Sequence, residues 1–174
     1  MAYESYSALM LIRQEQPTDH AEISAITAAA FAEAEHSDQS EPEIIARLRA
    51  SGALKISLVA IEGGELAGHI AFSPITIESA DLGWFGLGPM AVKPGRQSQG
   101  IGSALVREGL AQLRSDGAAG CVVLGDPAYY SRFGFERDAS LRYAGAPPEY
   151  FMRLLLDDRP SPTGRVDYAS AFAS

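Results

Sequence analysis

The chain has 174 residues, of which 47% are apolar and 21% charged, and its 22 acidic and 14 basic side chains leave a net charge of −8. This describes one ordinary globular domain with a full core, and the acidic balance argues against non-specific nucleic-acid binding, which needs clustered Lys and Arg. A single cysteine, Cys121, excludes an internal disulfide, and no apolar run reaches the roughly 18–20 residues that span a membrane. The first residues include Glu4 and lack the basic start of a secretory signal, so the expected setting is cytoplasmic.

In chain order, Ala8–Ile12 reads as a first strand. Thr18 or Asp19 can cap a helix from Ala21 to about Ala34, with Ile23, Ile26, Ala30 and Phe31 on one face. A second helix runs from near Ser40 to Gly52. Ser40 and Glu43 have capping-box spacing, and Ile44, Ile45 and Leu48 form its apolar stripe. Lys55–Glu62 and Glu65–Glu78 flank Gly63-Gly64 as a hairpin. Trp84–Val92 is a fourth strand, in which the glycines and Pro89 suggest a bulge.

A helix from Gly100 to Asp116 follows, closed by Gly117, and leads into a buried fifth strand at Gly120–Leu124. Cys121 lies in that apolar run and reads as a small buried hydrophobe rather than a nucleophile. Asp126–Arg132 is a short helix, Phe133-Gly-Phe135 leads into another strand, and Tyr150–Leu156 can form the last. From Asp157 the Ser-, Pro- and Asp-rich sequence is expected to pack loosely. The organisation is a single domain over 1–156 with a tail at 157–174. The fold class is α/β, in the α+β sense of a mixed sheet with helices on both faces. The hairpin makes the second and third strands antiparallel, and the helix between the fourth and fifth makes those two parallel.

The most informative stretch is Met90–Leu105, where a strand ends at Pro94, a polar turn carries Gly100 and Gly102, and an amphipathic helix follows. Glycines there let backbone approach a ligand, and a turn opening a helix N-terminus is a nest for phosphate. A second pattern, Gly86-x-Gly88-x-x-Ala91, matches the dinucleotide fingerprint formally but lies inside a strand and runs into Lys93-Pro94, not a helix. There is no phosphate-loop motif, no nucleophile elbow around Ser73, and no His/Cys/Asp cluster with metal-ligand spacing, so no metal site is expected.

The spacing Gln97-x-x-Gly100-x-Gly102 resembles the acetyl-coenzyme A signature of the GNAT N-acetyltransferases. Tyr130, four residues before Gly134-Phe135, resembles their second signature. The resemblance covers roughly 9–138. The phrases 68–74 (Gly-His-Ile-Ala-Phe-Ser-Pro), 87–92 (Leu-Gly-Pro-Met-Ala-Val) and 125–135 look like the YhbS-like branch of that family. It implies a mostly antiparallel sheet whose parallel fourth and fifth strands splay apart around acetyl-CoA, held as a cosubstrate. It further implies that Met90, Ala91 and Val92 bind the pantetheine arm, and that Gln97, Ser98, Gln99, Gly100, Ile101 and Gly102 bind the pyrophosphate, with Ser103 at the helix start. Asp126, Tyr130 and Arg132 join this set from the second block.

The implied activity is acetyl transfer to a primary amine, on a small molecule or a peptide N-terminus, by direct attack without an acyl-enzyme. Such transfer needs a neutral amine, a polarised carbonyl and a proton for the departing thiolate. Tyr130 would supply that proton, its alternative being packing over the sheet; Tyr129 reads as packing. Arg132 either reaches coenzyme A phosphates or pairs with an acid. Two residues stand for the base. Glu41 begins the second helix, where its alternative is interaction with the helix dipole. His69 lies on the third strand, where its alternation with Ala67 and Ala71 equally fits the core. His20 and His36 read as surface residues.

The acceptor groove is expected between the first two helices, the 73–83 loop and the 139–150 segment. The partners implied are an amine and neither nucleic acid nor membrane, with a homodimer allowed. Two rival readings use the same features. A non-catalytic acyl-CoA sensing module would keep cofactor affinity without depending on Tyr130, and a partner-binding domain with a vestigial pocket would not bind acetyl-CoA.

Overall fold

The computed structural model describes residues 10–173. The strand start expected at Ala8 therefore lies outside the described residues, and β1 is Leu11–Gln14. There follow α1 (His20–Phe31), α2 (Glu41–Ser51), β2 (Ile56–Glu62), β3 (Glu65–Pro74), β4 (Thr76–Ile77), β5 (Trp84–Val92) and α3 (Ile101–Ser115). The chain continues through β6 (Gly120–Leu124), α4 (Pro127–Tyr130), β7 (Leu141–Arg142), β8 (Phe151–Leu155) and β9 (Gly164–Asp167).

Six strands form one sheet in the order β1-β2-β3-β5-β6-β8, antiparallel except for the parallel pair β5/β6. The hairpin pairs Glu62 with Glu65 across Gly63-Gly64, both with positive φ. The β5/β6 ladder runs from Trp84↔Gly120 to Leu87↔Val123 and stops. At that point β5 bulges: Phe72 faces Leu87 while Ile70 faces Met90, leaving Gly88-Pro89 unpaired with β3. Beyond the bulge β5 keeps β3 on one side and has a free edge on the other, so the sheet splits between β5 and β6.

One face of the sheet carries α3, whose Ile101, Leu105, Val106, Leu110 and Leu113 pack against Ile70, Phe72, Leu87, Cys121 and Val123. The closest approach is at Gly109, where a Cβ would lie 2.2 Å from Cε2 of the fully buried Phe72. Gly109→Ala is therefore expected to lower stability by roughly 1–3 kcal/mol, because overpacking outweighs the better helix propensity of Ala. An unchanged midpoint in urea unfolding would refute this.

On the other face α1 and α2 cover Val59, Leu66 and Ala91 with Ile23, Ile26 and Ile45. α1 ends at Phe31 rather than at the expected Ala34. Gln39 Nε2 donates to the Phe31 carbonyl at 2.7 Å, which satisfies a terminal acceptor and folds the 32–40 loop back. The expected Ser40 capping box is absent: Ser40 Oγ bonds Asp38, and Glu43 pairs with Arg47 at 2.7 Å.

The tail expected to pack loosely is part of the fold. β9 bridges β4 and β7 in a second, three-stranded sheet, Val166 is buried with Ile77, Trp84 and Phe151, and Ala171 is buried against Ile44 and Leu48 of α2. The apolar residues that hold it, Val166, Tyr168, Ala171 and Phe172, are spaced through polar sequence in which only the short β9 alternates, so their partners emerge only in three dimensions. The strand expected after Phe135 is reduced to a bridge between Glu136 and Arg153 and the two-residue β7.

Candidate active site

A groove of about 580 Å³ opens at the split. One wall is the free edge of β5 at Met90, Ala91 and Val92. The floor is the turn and helix start at Gln97, Ser98, Gly100, Gly102 and Ser103, and the rim carries Tyr129 and Arg132. Gly100 is the N-cap of α3 with φ of +85°, a left-handed conformation that glycine adopts without strain. Among the described residues no side chain caps α3, so its first-turn N–H groups open on the groove without a partner there. Gly102 faces the same space: a Cβ there would lie 3.1 Å from Tyr129 Oη and 3.6 Å from both Met90 and Val92.

Arg132 stacks its guanidinium 4.5 Å above the Tyr129 ring, and it forms no ion pair among the described residues. Of the two readings for Arg132, the acid partner is thus not observed. Tyr129, expected only to pack, lines the groove with its hydroxyl 3.3 Å from Ser103 Oγ. Tyr130 instead turns inward. It is buried, wedged against Gly125, and stacks edge-on with Tyr129 (4.9 Å) and Phe135 (5.9 Å). Burial pushes its phenol well above the usual range, and its hydroxyl makes no hydrogen bond among the described residues.

Four residues of the expected binding set do not line this groove: Tyr130, turned inward as described, and three others. Ile101 is buried in the core with its side chain under β3, Gln99 is exposed, and Asp126 caps α4 by accepting from Ala128 N at 2.9 Å. The short α4 begins at Asp126 and Pro127, which puts adjacent Tyr129 and Tyr130 on different faces. That helix start is the signal by which sequence reading would have found Tyr129.

A second cavity, of about 430 Å³, adjoins the first through Phe31 and Ala34, which line both. It lies between the 31–44 segment (the end of α1, the following loop and the first turn of α2), the Leu87-Gly88-Pro89 bulge, the end of β6 at Leu124, and Tyr143, Tyr168 and Phe172. Glu41, half-buried, points here and accepts a hydrogen bond from Ser37, and His36 is on the rim. The 73–83 loop, expected as a wall, takes no part. Its place is taken by the C-terminal segment through Tyr168 and Phe172, which sequence reading missed.

His69 lies in neither cavity. It is fully buried under α1 and α2, with Nε2 2.7 Å from Ser57 Oγ and 3.9 Å from Glu15 Oε1, while Nδ1 has no partner. Glu15 also takes two bonds from Arg49 at 2.8 and 3.0 Å. Burial pushes the Glu15 carboxyl up, but the bonds from Arg49 and Ser57 outweigh it and leave it below its usual value. The candidate-base reading of His69 is accordingly corrected: the sheet's alternation carries its side chain into the α1/α2 layer, away from the split.

Burial pushes the His69 imidazole down to about 4, against the opposing pull of Glu15. It is therefore neutral in the folded protein at neutral pH, while an unfolded chain titrates near 6.5. The unfolded state then binds the extra proton, so this stability is complete above about pH 6.5 and is lost as pH falls toward about 4. The two values differ by on the order of 3 kcal/mol. His69→Gln should flatten the stability profile across that window in urea melts; parallel losses in both proteins would contradict it.

The sheet is thus split at its one parallel pair, with two adjoining cavities at the split, one floored by the start of α3 and the other lined by Glu41 and the C-terminal segment. The Acetyltransferase (GNAT) family model matches residues 13–135, and the chain belongs to that family. It is 38% identical over 169 residues to the uncharacterized N-acetyltransferase YhbS of Escherichia coli K12, covering 94% of this chain and 98% of that one. Among solved structures it is similar to a GNAT family acetyltransferase from Brucella melitensis in complex with acetyl-CoA, with 50% identity, a TM-score of 0.85, and 95% and 99% of the two chains covered. It is also similar to Escherichia coli YhbS in complex with CoA, with 37% identity, a TM-score of 0.89, and 97% and 94% covered.

Proposed function

We propose that the protein transfers the acetyl group of acetyl-CoA to a primary amine. The observation that carries this is the meeting of two cavities at the split beyond Leu87, one floored by an uncapped helix N-terminus and the other lined by a carboxylate. The relatives solved with acetyl-CoA and CoA support the first cavity as the cofactor groove. Bound there, acetyl-CoA supplies an activated acetyl thioester.

The chain's own residues then have separable tasks. The backbone from Gln97 to Gly102 and the side chains of Ser103 and Arg132 hold the phosphates. The free edge of β5 from Met90 to Val92 aligns the extended arm as an added strand would, and a β5 N–H near Met90 polarises the thioester carbonyl. Tyr130, packed behind the groove beside Tyr129 with its hydroxyl bonded to no described residue, holds its proton at rest and is the acid assigned to the departing thiolate. Glu41 takes the proton from the incoming ammonium, directly or through one water. The single thiol, Cys121, is sealed in the core and burial pushes it up, so it is no acyl carrier and the amine attacks directly.

Calorimetric titration of acetyl-CoA, followed by thiol release with a panel of amines, tests the reading. Saturable binding and amine-dependent release are expected. An absence of acetyl-CoA binding would overturn it and leave the fold alone.

A further inference from the structure

The second cavity has a chemical character that its position does not require. On one side a row of aromatic rings runs from Tyr143 to Tyr168 to Phe172, with centroid spacings of 5.0 and 5.1 Å. Phe31 and Ile44 form the opposite wall. The ionisable residues in the lining are Glu35, Glu41, His36 and the two tyrosines; no Lys or Arg contributes. Arg132 belongs to the neighbouring cofactor groove.

Tyr168 adds an independent observation. Its ring edge packs against Gly86, where a Cβ would come within 2.6 Å of Cε1 and 3.0 Å of Cδ1, so a side chain at 86 would displace the ring. Its hydroxyl is buried and has no hydrogen-bond partner among the described residues. A buried hydroxyl without a partner is costly in a resting protein, and it is a ready partner for a ligand N–H. Burial pushes this phenol far up, so it stays uncharged and able to accept from an amine.

We propose that the acceptor is a small free primary amine with an apolar, aromatic-sized body and no anionic group, seated between Phe31 and the Tyr143–Tyr168–Phe172 row, its nitrogen held by Glu41 and the Tyr168 hydroxyl. The inference rests on the acetyltransferase reading and deepens it. The carboxylates complement a cation, the rings complement an apolar body, and the missing Lys and Arg leave a carboxylate or phosphate on the acceptor with no partner. A cavity of about 430 Å³ has the size of a small-molecule site. Tyr168 acts here as a specificity-determining residue that touches substrate.

The test compares phenethylamine, phenylalanine, spermidine and a short peptide beginning with Phe as acceptors, by initial rates of thiol release. Calorimetric binding of each to the CoA-saturated protein gives a readout independent of turnover. Phenethylamine should show at least about 10-fold higher kcat/KM than the other three, and tighter binding. Tyr168→Phe should raise its KM about 5- to 30-fold, and Glu41→Gln should raise it similarly while also lowering kcat, with acetyl-CoA affinity unchanged in both. Equal or better use of phenylalanine, spermidine or the peptide would overturn the inference, as would an unchanged KM in both variants. If acetyl-CoA binds yet this preference fails, only the acceptor class falls. If acetyl-CoA does not bind, the acetyltransferase reading itself falls.

Discussion

Gly102→Glu is expected to weaken acetyl-CoA binding at least about 100-fold, or about 3 kcal/mol, without unfolding the protein. Gly102 is the second residue of α3 and has ordinary helical backbone, so the substitution introduces no left-handed strain. A glutamate in the first turn is moreover favoured by the helix dipole. The cost falls on the ligand. A Cβ at this position already meets Tyr129, Met90 and Val92, so a longer side chain can extend only into the groove. Its carboxylate would then sit where the uncapped N–H groups await phosphate, satisfying those donors itself and repelling a second anion. Calorimetry on the variant decides it, with circular dichroism to show an intact fold. Near-native affinity would place the phosphates elsewhere.

Tyr130→Phe is expected to lower kcat by about 10²–10³-fold with little change in acetyl-CoA affinity, whereas Tyr129→Phe should chiefly raise the acetyl-CoA KM. The contrast follows from the two faces of α4. Tyr129 touches Ser103 and carries Arg132 over the cofactor groove, so its hydroxyl serves binding. Tyr130 keeps its ring packing as phenylalanine and loses only a hydroxyl that bonds nothing among the described residues, so stability should hardly move. Burial raises the phenol, which would make it a poor acid toward a solvated thiolate. A thiolate leaving into the same water-poor split loses solvation as the phenolate would, so both charged forms are disfavoured together. Single-turnover rates separate the chemical step from release. A full-speed Tyr130→Phe enzyme would remove Tyr130 from the chemistry, and the non-catalytic sensing module would then explain the same groove.

Much of this architecture was legible along the chain because it is written in local periods. Alternation and apolar runs located β5 and β6 at their observed boundaries, and Gly100, Gly102 and Pro94 marked the strand–turn–helix that floors the cofactor groove. Gly88-Pro89 signalled the bulge after which the sheet splits, since proline cannot donate to a ladder. Most of the groove lining was readable for the same reason: Met90–Val92 and Gln97, Ser98, Gly100, Gly102 and Ser103 line one cavity from adjacent segments joined by a short turn.

What the tertiary structure alone decided is everything that depends on which face a side chain takes or on contacts distant in sequence. Tyr129 and Tyr130 are chemically equal neighbours, and only the docking of α4 turns one to the groove and the other to the core. His69 alternates as either a wall or a site residue would, and only the α1/α2 layer seals it in. The tail alternates over only one short strand, yet β9 finds both β4 and β7 and brings Tyr168 and Phe172 some 80 positions past Gly86 to line the second cavity. Local propensity acts over a few residues and leaves its mark in sequence, while long-range burial is satisfied by any surface of matching shape and leaves none.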